Sequence, residues 1–573
     1  MSFRKEILDL MKDWCDRILE FKISHSSPYI DGSILCPACT VVHGRIADLV
    51  FPLTLLYNET KEKGYLEAAE STVEWADRNV SSEDGLTVND RGNLWKGTAA
   101  FYAMALGEAL HRFGNILPLA TKSRWEGLFL RITDACLEYF DSPSFSPNIN
   151  YRAGAAALFA LAYVYTGQKR YLEKANKWEL YCRQHFDANG LFYGEGKPID
   201  GTTEKGAHCI DMGYNVEESI PLLIIHSKYL SDEEKLGFYT ARAIDHLEFM
   251  LGDGGIDNSF GTRHNKWTYW GSRTSDGLCE GFVYVAGKDK RIAKAIVENF
   301  RLLKRCTHDK LLFPGLMAKS AGEVACLHHA FTHAKALATL YLDMNEEDYL
   351  DLDQIKLPRE VERIRTFQNG SLCTVTKGSF TATVNACDFV SYQDAENGGG
   401  ALSLLWNKKY GAVLASTTYR FVATELLNMQ YQRGGVLYEC MTPRFEDENG
   451  YVSVKDLSFT LSNDDFSVTA VSRRYPISFG YTFEDDKVTL RINSEKDGYY
   501  ILPVVSATAD KVLVNESEVV LRDILSVRSN TKFDARYRHG SVPFFHTVGG
   551  FEYIQLVFKV EKNKETVITV SEI

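Results

Sequence analysis

The sequence predicts a helical toroid followed by an antiparallel β-sandwich, and three observations carry that prediction. Helical periodicity recurs in pairs up to about residue 350, period-two alternation replaces it past Pro358, and the stretch Asp343–Lys356, acidic and poor in core residues, separates the two. A length of 573 residues calls for more than one domain, and 45% apolar with 24% charged residues is the balance of a folded globular chain.

Candidate helices cover 3–22, 44–61, 64–79, 98–113, 118–140, 151–166, 168–185, 215–229, 231–251, 274–285, 289–305 and 327–342, which makes six pairs. A local signature repeats. Gly64-Tyr65-Leu66-Glu67-Ala68-Ala69 precedes Asp84-Gly85-Leu86, Arg170-Tyr171-Leu172-Glu173-Lys174-Ala175 precedes Asn189-Gly190-Leu191-Phe192, and Arg291-Ile292-Ala293-Lys294-Ala295 precedes His308-Asp309-Lys310-Leu311-Leu312. Each copy is a helix start, a helix and a Gly- or Asp-containing exit. Such hairpins bury a shared face by stacking on their neighbours, and a curved array closes into a ring with a pocket at its centre. The expectation is an (α/α)6 toroid over 1–350, the catalytic domain.

In the second half, 372–376, 380–384, 452–454, 487–492 and 566–570 alternate as strands do. Asn369-Gly370, Asn449-Gly450 and Asn397-Gly398-Gly399-Gly400 punctuate them as turns, so a β-sandwich is expected over 351–573.

A formal net charge of -12 argues against nucleic acid, since a phosphate backbone needs clustered Lys and Arg. It leaves room for an acidic oligosaccharide, because one or two local cations suffice for one carboxylate. The first ten residues read as a charged amphipathic helix rather than a signal peptide, and no run of about 18 apolar residues suggests a membrane span. Twelve cysteines are scattered along the chain, several inside apolar helices (Cys136, Cys182, Cys279), and are read as reduced thiols of a cytoplasmic protein. Oligomeric state is left open, with a homo-oligomer allowed.

Twelve of the fourteen histidines and seven of the eight tryptophans precede residue 350, which makes the helical half the working half. Four stretches stand out there. In Cys36-Pro37-Ala38-Cys39-Thr40-Val41-Val42-His43-Gly44-Arg45, Arg45 suits bidentate pairing with a substrate carboxylate. The Cys-x-x-Cys with His43 also invites a zinc reading, with Cys209 and Cys326 as loosely placed candidates for a second half-site; a tight turn with buried thiols and no metal is the reading taken. In Ser146-Pro147-Asn148-Ile149-Asn150-Tyr151-Arg152, Asn148 is placed to cap the helix that follows, which leaves Asn150 to line a pocket. His208-Cys209-Ile210-Asp211-Met212-Gly213-Tyr214-Asn215-Val216-Glu217-Glu218-Ser219 is the densest polar group of the chain. Carboxylates at such a helix start also complement the macrodipole, and Glu217 and Glu218 point about 100° apart, so separate roles are expected. The fourth stretch joins Arg263–Asp276, with Trp267, Tyr269, Trp270 and Arg273, to Cys326–His333, with His328, His329 and His333. Aromatic platforms beside cations suit an acidic sugar, and His329 and His333 share a helix face. Core packing is the competing role for each Trp and for at least one of these histidines.

These stretches resemble bacterial carbohydrate-active enzymes with a helical toroid and a β-sandwich, the architecture of heparinase II/III-like polysaccharide lyases. They resemble more closely a glycoside hydrolase family of β-glucuronidases with the same architecture. The residues that carry the resemblance are Cys36-Pro37-Ala38-Cys39 with His43-Gly44-Arg45, then 148–151, 211–219, 267–277 and 328–335, which span nearly the whole helical half. Members of that family are usually exported, so the missing signal leads to the expectation of a substrate already cut small and imported.

Hydrolysis of a terminal glucuronoside is the leading expectation, in which one carboxylic acid protonates the leaving oxygen and a second carboxylate activates water or attacks the anomeric carbon. Asp211 with Glu217 or Glu218 would do this chemistry. Arg45, Arg273 and His43 would hold the uronate carboxylate, and Trp267, Tyr269 and Asn150 would shape the sugar subsite, with Trp270, His208, His328 and His329 also on the substrate. The alternative is β-elimination: a His or Tyr removes the proton beside the uronate carboxylate, a Tyr protonates the leaving oxygen, and Asn, His or Arg neutralises the carboxylate. Tyr214, His208, Asn150 and His333 would then matter most. Neither scheme calls for a cofactor. A sugar-binding protein without turnover is the third reading, disfavoured because so many titratable groups around one pocket are costly unless used.

Overall fold

Two kinds of helix alternate along the first half of the chain, and the difference between them builds the ring. A computed structural model describes residues 2–38, 40, 42–89, 92–142, 145, 147–260, 277–313, 315–320, 322, 324–389, 398–416, 420–422, 437–439, 441–537 and 551–573. Its helices are α1 (Phe3–Leu19), α2 (Val50–Thr60), α3 (Lys63–Asn79), α4 (Ala99–Phe113), α5 (Leu119–Tyr139), α6 (Asn150–Thr166), α7 (Lys169–Arg183), α8 (Met212–Tyr214), α9 (Ile220–Tyr229), α10 (Glu233–His246), α11 (Cys279–Phe282), α12 (Lys290–Arg305) and α13 (Leu327–Asp343). One kind is apolar all round: α9 buries every residue from Ile220 to Ser227, and α6 every residue from Ala153 to Ala162. The other carries one apolar stripe, as in α12, which buries Ile292, Ala293, Ala295, Ile296, Phe300, Leu302 and Leu303 and exposes its charges.

The apolar helices form the inner wall. Helix α2 packs on α4, α4 on α6, α6 on α9, α9 on α11 and α11 on α13, and α13 returns to α2, so the ring closes. Each is backed by an amphipathic partner: α3 on α2, α5 on α4, α7 on α6, α10 on α9, α12 on α11 and α1 on α13. This is the (α/α)6 toroid. The outer helices α3, α7 and α10 each end in a short β-bridge (Ser81 with Thr87, Phe186 with Phe192, Met250 with Ile256) whose turn holds Gly85, Gly190 or Gly254 at left-handed φ. The last of these is a copy of the exit signature that the sequence reading passed over.

Several expected boundaries move for identifiable reasons. The segment 44–61 opens as a 3-10 turn, Gly44–Leu49, and becomes α-helical only at Val50, which puts Pro52 in the first turn where its missing N–H costs nothing. Segment 231–251 gives α10 and then a 3-10 turn, Leu247–Phe249. Of 274–285, the described part is α11 and the turn Val283–Val285, in a stretch weakened by Gly277, Gly281 and Gly287. Residues 452–454 are not a strand. The Asp447 carboxylate accepts from the N–H groups of Asn449 and Tyr451, and Ser453 Oγ takes the N–H of Phe445, which winds Ser453–Lys455 into a 3-10 turn. Asn148 does not cap α6 either: Ile149 holds the cap position and Asn150 is the first helical residue.

The second half is an antiparallel sandwich. A five-stranded meander (Arg363–Phe367, Leu372–Lys377, Phe380–Asn385, Ala401–Asn407, Gly411–Ala415) and a four-stranded sheet share one apolar core with an eight-stranded sheet. In the meander, Phe380–Asn385 and Ala401–Asn407 are buried at every residue. One face, with Cys373, Val375, Ala382 and Leu405, joins the sandwich core, and the other, with Leu372, Leu404, Trp406 and Ala415, joins the toroid core. Alternation along these strands therefore separates two apolar cores rather than core from water.

Polar contacts pin that junction. Arg359, 2% exposed, donates to Asp257 Oδ2 at 3.3 Å, Thr383 Oγ1 at 2.6 Å and the Ala382 carbonyl at 2.8 Å. Asp257 also accepts from Ser259 Oγ at 2.7 Å, and Ser259 meets Ser403 across the junction at 2.9 Å. The inner helices all run the same way, and at their C-terminal ends Arg112 binds Glu108 (2.7 Å), Asp343 (2.6 Å) and the Tyr284 hydroxyl (2.9 Å), a polar plug across that end of the ring. Among the described residues, no helix is long and apolar enough to cross a membrane.

Two outcomes follow from this packing. Replacing Arg359 with Met leaves Asp257 buried without its cation and should cost about 3–5 kcal/mol in denaturant-induced unfolding, whereas Arg491→Ala on the exposed sheet should change stability little. His226 is buried in α9, with neither ring nitrogen hydrogen-bonded among the described residues, and burial pulls its pKa down to about 3; His246 is pulled down to about 4. The unfolded chain then takes up protons below about pH 6.5 that the folded chain refuses, so stability falls as pH drops from there toward about 4. The thermal midpoint should fall over that window, and His226→Leu should flatten the fall.

Candidate active site

The mouth of the ring lies where the inner helices begin. Asn150 opens α6, Asp211 caps α8, Cys326 is the cap residue of α13 and Gly44 starts the turn that leads into α2. Several N-terminal ends thus lie together, and their dipoles favour negative charge.

A proline organises the centre. Pro221 sits in the run 212–229 and has no N–H for the carbonyl of Glu217 four residues earlier. The helix answers with a π-helical turn over Asn215–Ser219, in which Ile220 N–H bonds to the Asn215 carbonyl. The Glu217 carbonyl instead accepts from Gly277 N–H at 2.9 Å, just before the neighbouring helix α11. The approach is close, since a Cβ on Gly281 would lie 2.3 Å from Pro221.

The widened turn sends its two carboxylates to different neighbours. Glu218 Oε1 accepts from Asn150 Nδ2 at 2.7 Å, and Glu217 Oε1 lies 3.8 Å from His333 Nε2; all four side chains are buried. Asn150 is held twice, because its backbone N–H donates to Glu195 Oε1 at 2.9 Å. Asp211 serves the helix start: it accepts from Tyr214 N–H at 3.2 Å and from Asn258 Nδ2 at 3.0 Å. Tyr214 is buried within the same turn.

The opposite wall holds Arg45 and His43. Arg45 grips Asp48 Oδ2 through Nε at 2.9 Å and Nη2 at 2.7 Å, both groups buried, with its guanidinium 5.0 Å from the Phe101 ring centroid. Phe101 lies 5.9 Å from the Tyr151 ring, which ties Arg45 to the start of α6. The His43 ring lies 3.7 Å from that of His328, five residues before His333 on α13. Three contacts, Asn150 with Glu218, Glu217 with His333 and His43 with His328, thus lie near the starts of the inner helices. His208 stands apart, half-buried: it stacks on Tyr193 at 4.0 Å, its backbone N–H donates to Gln368 Oε1 at 2.7 Å, and Nδ1 meets the Gly201 carbonyl at 3.0 Å. Trp267, Tyr269, Trp270 and Arg273 lie outside the described residues, as does the side chain of His329.

Sequence reading missed two partners. Glu195 lies in a loop with no helical or strand pattern around it, and Asp48 sits in a stretch that reads as ordinary helix. The signal for the widened turn was present in Pro221, in the middle of a periodic helix.

The chain matches the family model described as the ulvan lyase N-terminal domain over residues 11–360 and that of the ulvan lyase C-terminal domain over 364–572. It is 32% identical over 617 residues to the broad-specificity ulvan lyase of Formosa agariphila, covering 100% of this chain and 94% of that one. Among solved structures it is similar to heparinase III (TM-score 0.54, 12% identity, 91% of this chain and 76% of that one). It is likewise similar to the chondroitin AC lyase of Streptomyces coelicolor A3 in complex with chondroitin sulphate (TM-score 0.53, 10% identity, 100% and 79%). Those two likenesses show the toroid-plus-sandwich fold. The full-length match corrects the expected glycosidase activity and the expected β-glucuronidase family, neither of which it supports. The architecture is that of a polysaccharide lyase, and the chain belongs to the ulvan lyase family.

Proposed function

We propose that this protein is a polysaccharide lyase that cleaves an acidic, uronate-containing polysaccharide of the ulvan kind by β-elimination. The observation that carries the reading is the buried Asn150–Glu218 pair at the mouth of the ring, in a chain that matches ulvan lyases from end to end.

Elimination needs three things of the protein: neutralisation of the uronate carboxylate, a base for the proton beside it, and an acid for the leaving glycosidic oxygen. Glu218 accepts an N–H of Asn150 at 2.7 Å and so fixes the plane of the amide, which is assigned to neutralise the substrate carboxylate. Converging helix N-termini favour the same charge. As the proton leaves, negative charge builds on the carboxylate oxygens, where a donor already aimed needs no reorganisation. Tyr214 is assigned the proton transfers: as the phenolate it takes the proton beside the carboxylate, and the phenol so formed gives that proton to the leaving oxygen as the C–O bond breaks, which regenerates the phenolate. His333, beside Glu217, is assigned to the carboxylate-binding side with His328 and His43. Arg45, already paired with Asp48, holds the wall in shape.

Turnover of ulvan should raise ultraviolet absorbance, because elimination leaves a double bond conjugated with the carboxylate. Release of unmodified uronic acid with no absorbance change would refute the reading. Tyr214→Phe should lower kcat by about 10²–10⁴-fold, the range for a lost acid–base group, with folding unchanged by circular dichroism. Asn150→Ala should lower kcat/KM strongly, and Glu218→Gln, which keeps an acceptor for the amide, should lower it less.

A further inference from the structure

A group of soft ligands lies beside the site, and its two cysteines have no part in the chemistry assigned there. Cys36 Sγ, a ring nitrogen of His43 and Cys326 Sγ all fall within 4.8 Å of one another, and all three residues are buried. The two sulfurs are 3.7 Å apart. A disulfide would bring them to about 2.05 Å, whereas two thiolates at about 2.3 Å from a tetrahedral ion stand about 3.8 Å apart.

The backbone explains the grouping. Leu35 pairs with Val42 across a tight loop, Thr40 N–H bonds to the Cys36 carbonyl at 2.9 Å, and Thr40 takes a left-handed φ, so Cys36 and His43 flank one hairpin. Cys326 comes from the other end of the toroid, as the cap residue of α13, where its side chain makes no capping bond. The His43 ring also rests on that of His328, which limits its rotation.

We propose that Cys36, His43 and Cys326 bind a zinc ion that fastens the loop before α2 to the start of α13, the seam at which the ring closes. Two thiolates and an imidazole are the donors zinc takes in structural sites, and magnesium or calcium would call for oxygen ligands instead. Binding displaces the thiol protons, so the ion enters as the dithiolate forms and two protons leave. Cys39, which completes the Cys-x-x-Cys spacing, lies outside the described residues, and the site stands without it. Held by the ion, His43 keeps its face toward His328, and Arg45 follows two residues on, so the clamp supports one wall of the mouth. This inference does not rest on the lyase reading.

The test uses the full-length chain grown with zinc. Elemental analysis should find about one zinc per chain in the purified protein. Cys36→Ser and Cys326→Ser should each abolish it, and Cys182→Ser, a buried cysteine elsewhere, should retain it. Cobalt(II) added to the reduced, metal-stripped chain should give thiolate-to-metal charge-transfer bands in the near ultraviolet and intense visible bands. Metal at background level with no cobalt–thiolate absorption would overturn the proposal, as would zinc retained in Cys326→Ser or a Cys36–Cys326 disulfide recovered in place of the metal. Should the serine variants fail to fold, the cobalt titration of the unaltered chain decides alone. Because metal content and cobalt spectra are read without substrate, an inactive but zinc-loaded chain would count against the lyase reading only.

Discussion

Closure of the inner ring is the constraint on which everything else depends. A helix in that wall touches a neighbour on either side, an outer helix behind and the axis in front, so it has no face for water. Its sequence must be apolar almost all round, as α6 and α9 are. Polar side chains then gather toward the two ends, and one in mid-wall needs a partner, as Lys335 has in Glu280 at 3.5 Å. At one end Arg112, Glu108, Asp343 and Tyr284 satisfy one another and plug the ring. At the other, where the helices start, buried polar side chains such as Asn150, Asp211 and Glu218 gather and bind the first N–H groups and one another.

The same constraint explains why the central helix is distorted. A proline placed in a packed wall forces the hydrogen-bond ladder to give way, and the freed carbonyl finds Gly277. The distortion separates the tasks of two adjacent carboxylates, one holding an amide and the other facing an imidazole. A regular helix would leave those side chains about 100° apart with no such choice of partners. Local irregularity of this sort persists where surrounding packing over-determines it, and such places are commonly functional.

Much of the architecture could be read from periodicity, because toroid helices and sandwich strands follow the patterns of burial that patterning arguments detect. The period of Arg291–Arg305 and the recurring Gly-containing exits are examples. What escaped was set by contacts between distant segments. Glu195 caps α6 from 45 residues away, and Asn258 reaches Asp211 at the start of α8 from 47. The meander strands misled in a subtler way: their alternation is real, but neither face is wet. Activity lay further out of reach, since the same carboxylates, imidazoles and tyrosine can be arranged for hydrolysis or for elimination, and only similarity to whole proteins separates the two.

The meander also has a consequence for how such a protein can change. A sheet with oil-like packing on either side belongs to both halves at once, so a cut at the junction would bare a broad water-shunning surface on each fragment. The two halves should therefore melt together and be inherited together, not shuffled as cassettes. New specificities would have to arise by rewriting the loops that rim the ring, while the wall beneath them stays as it is.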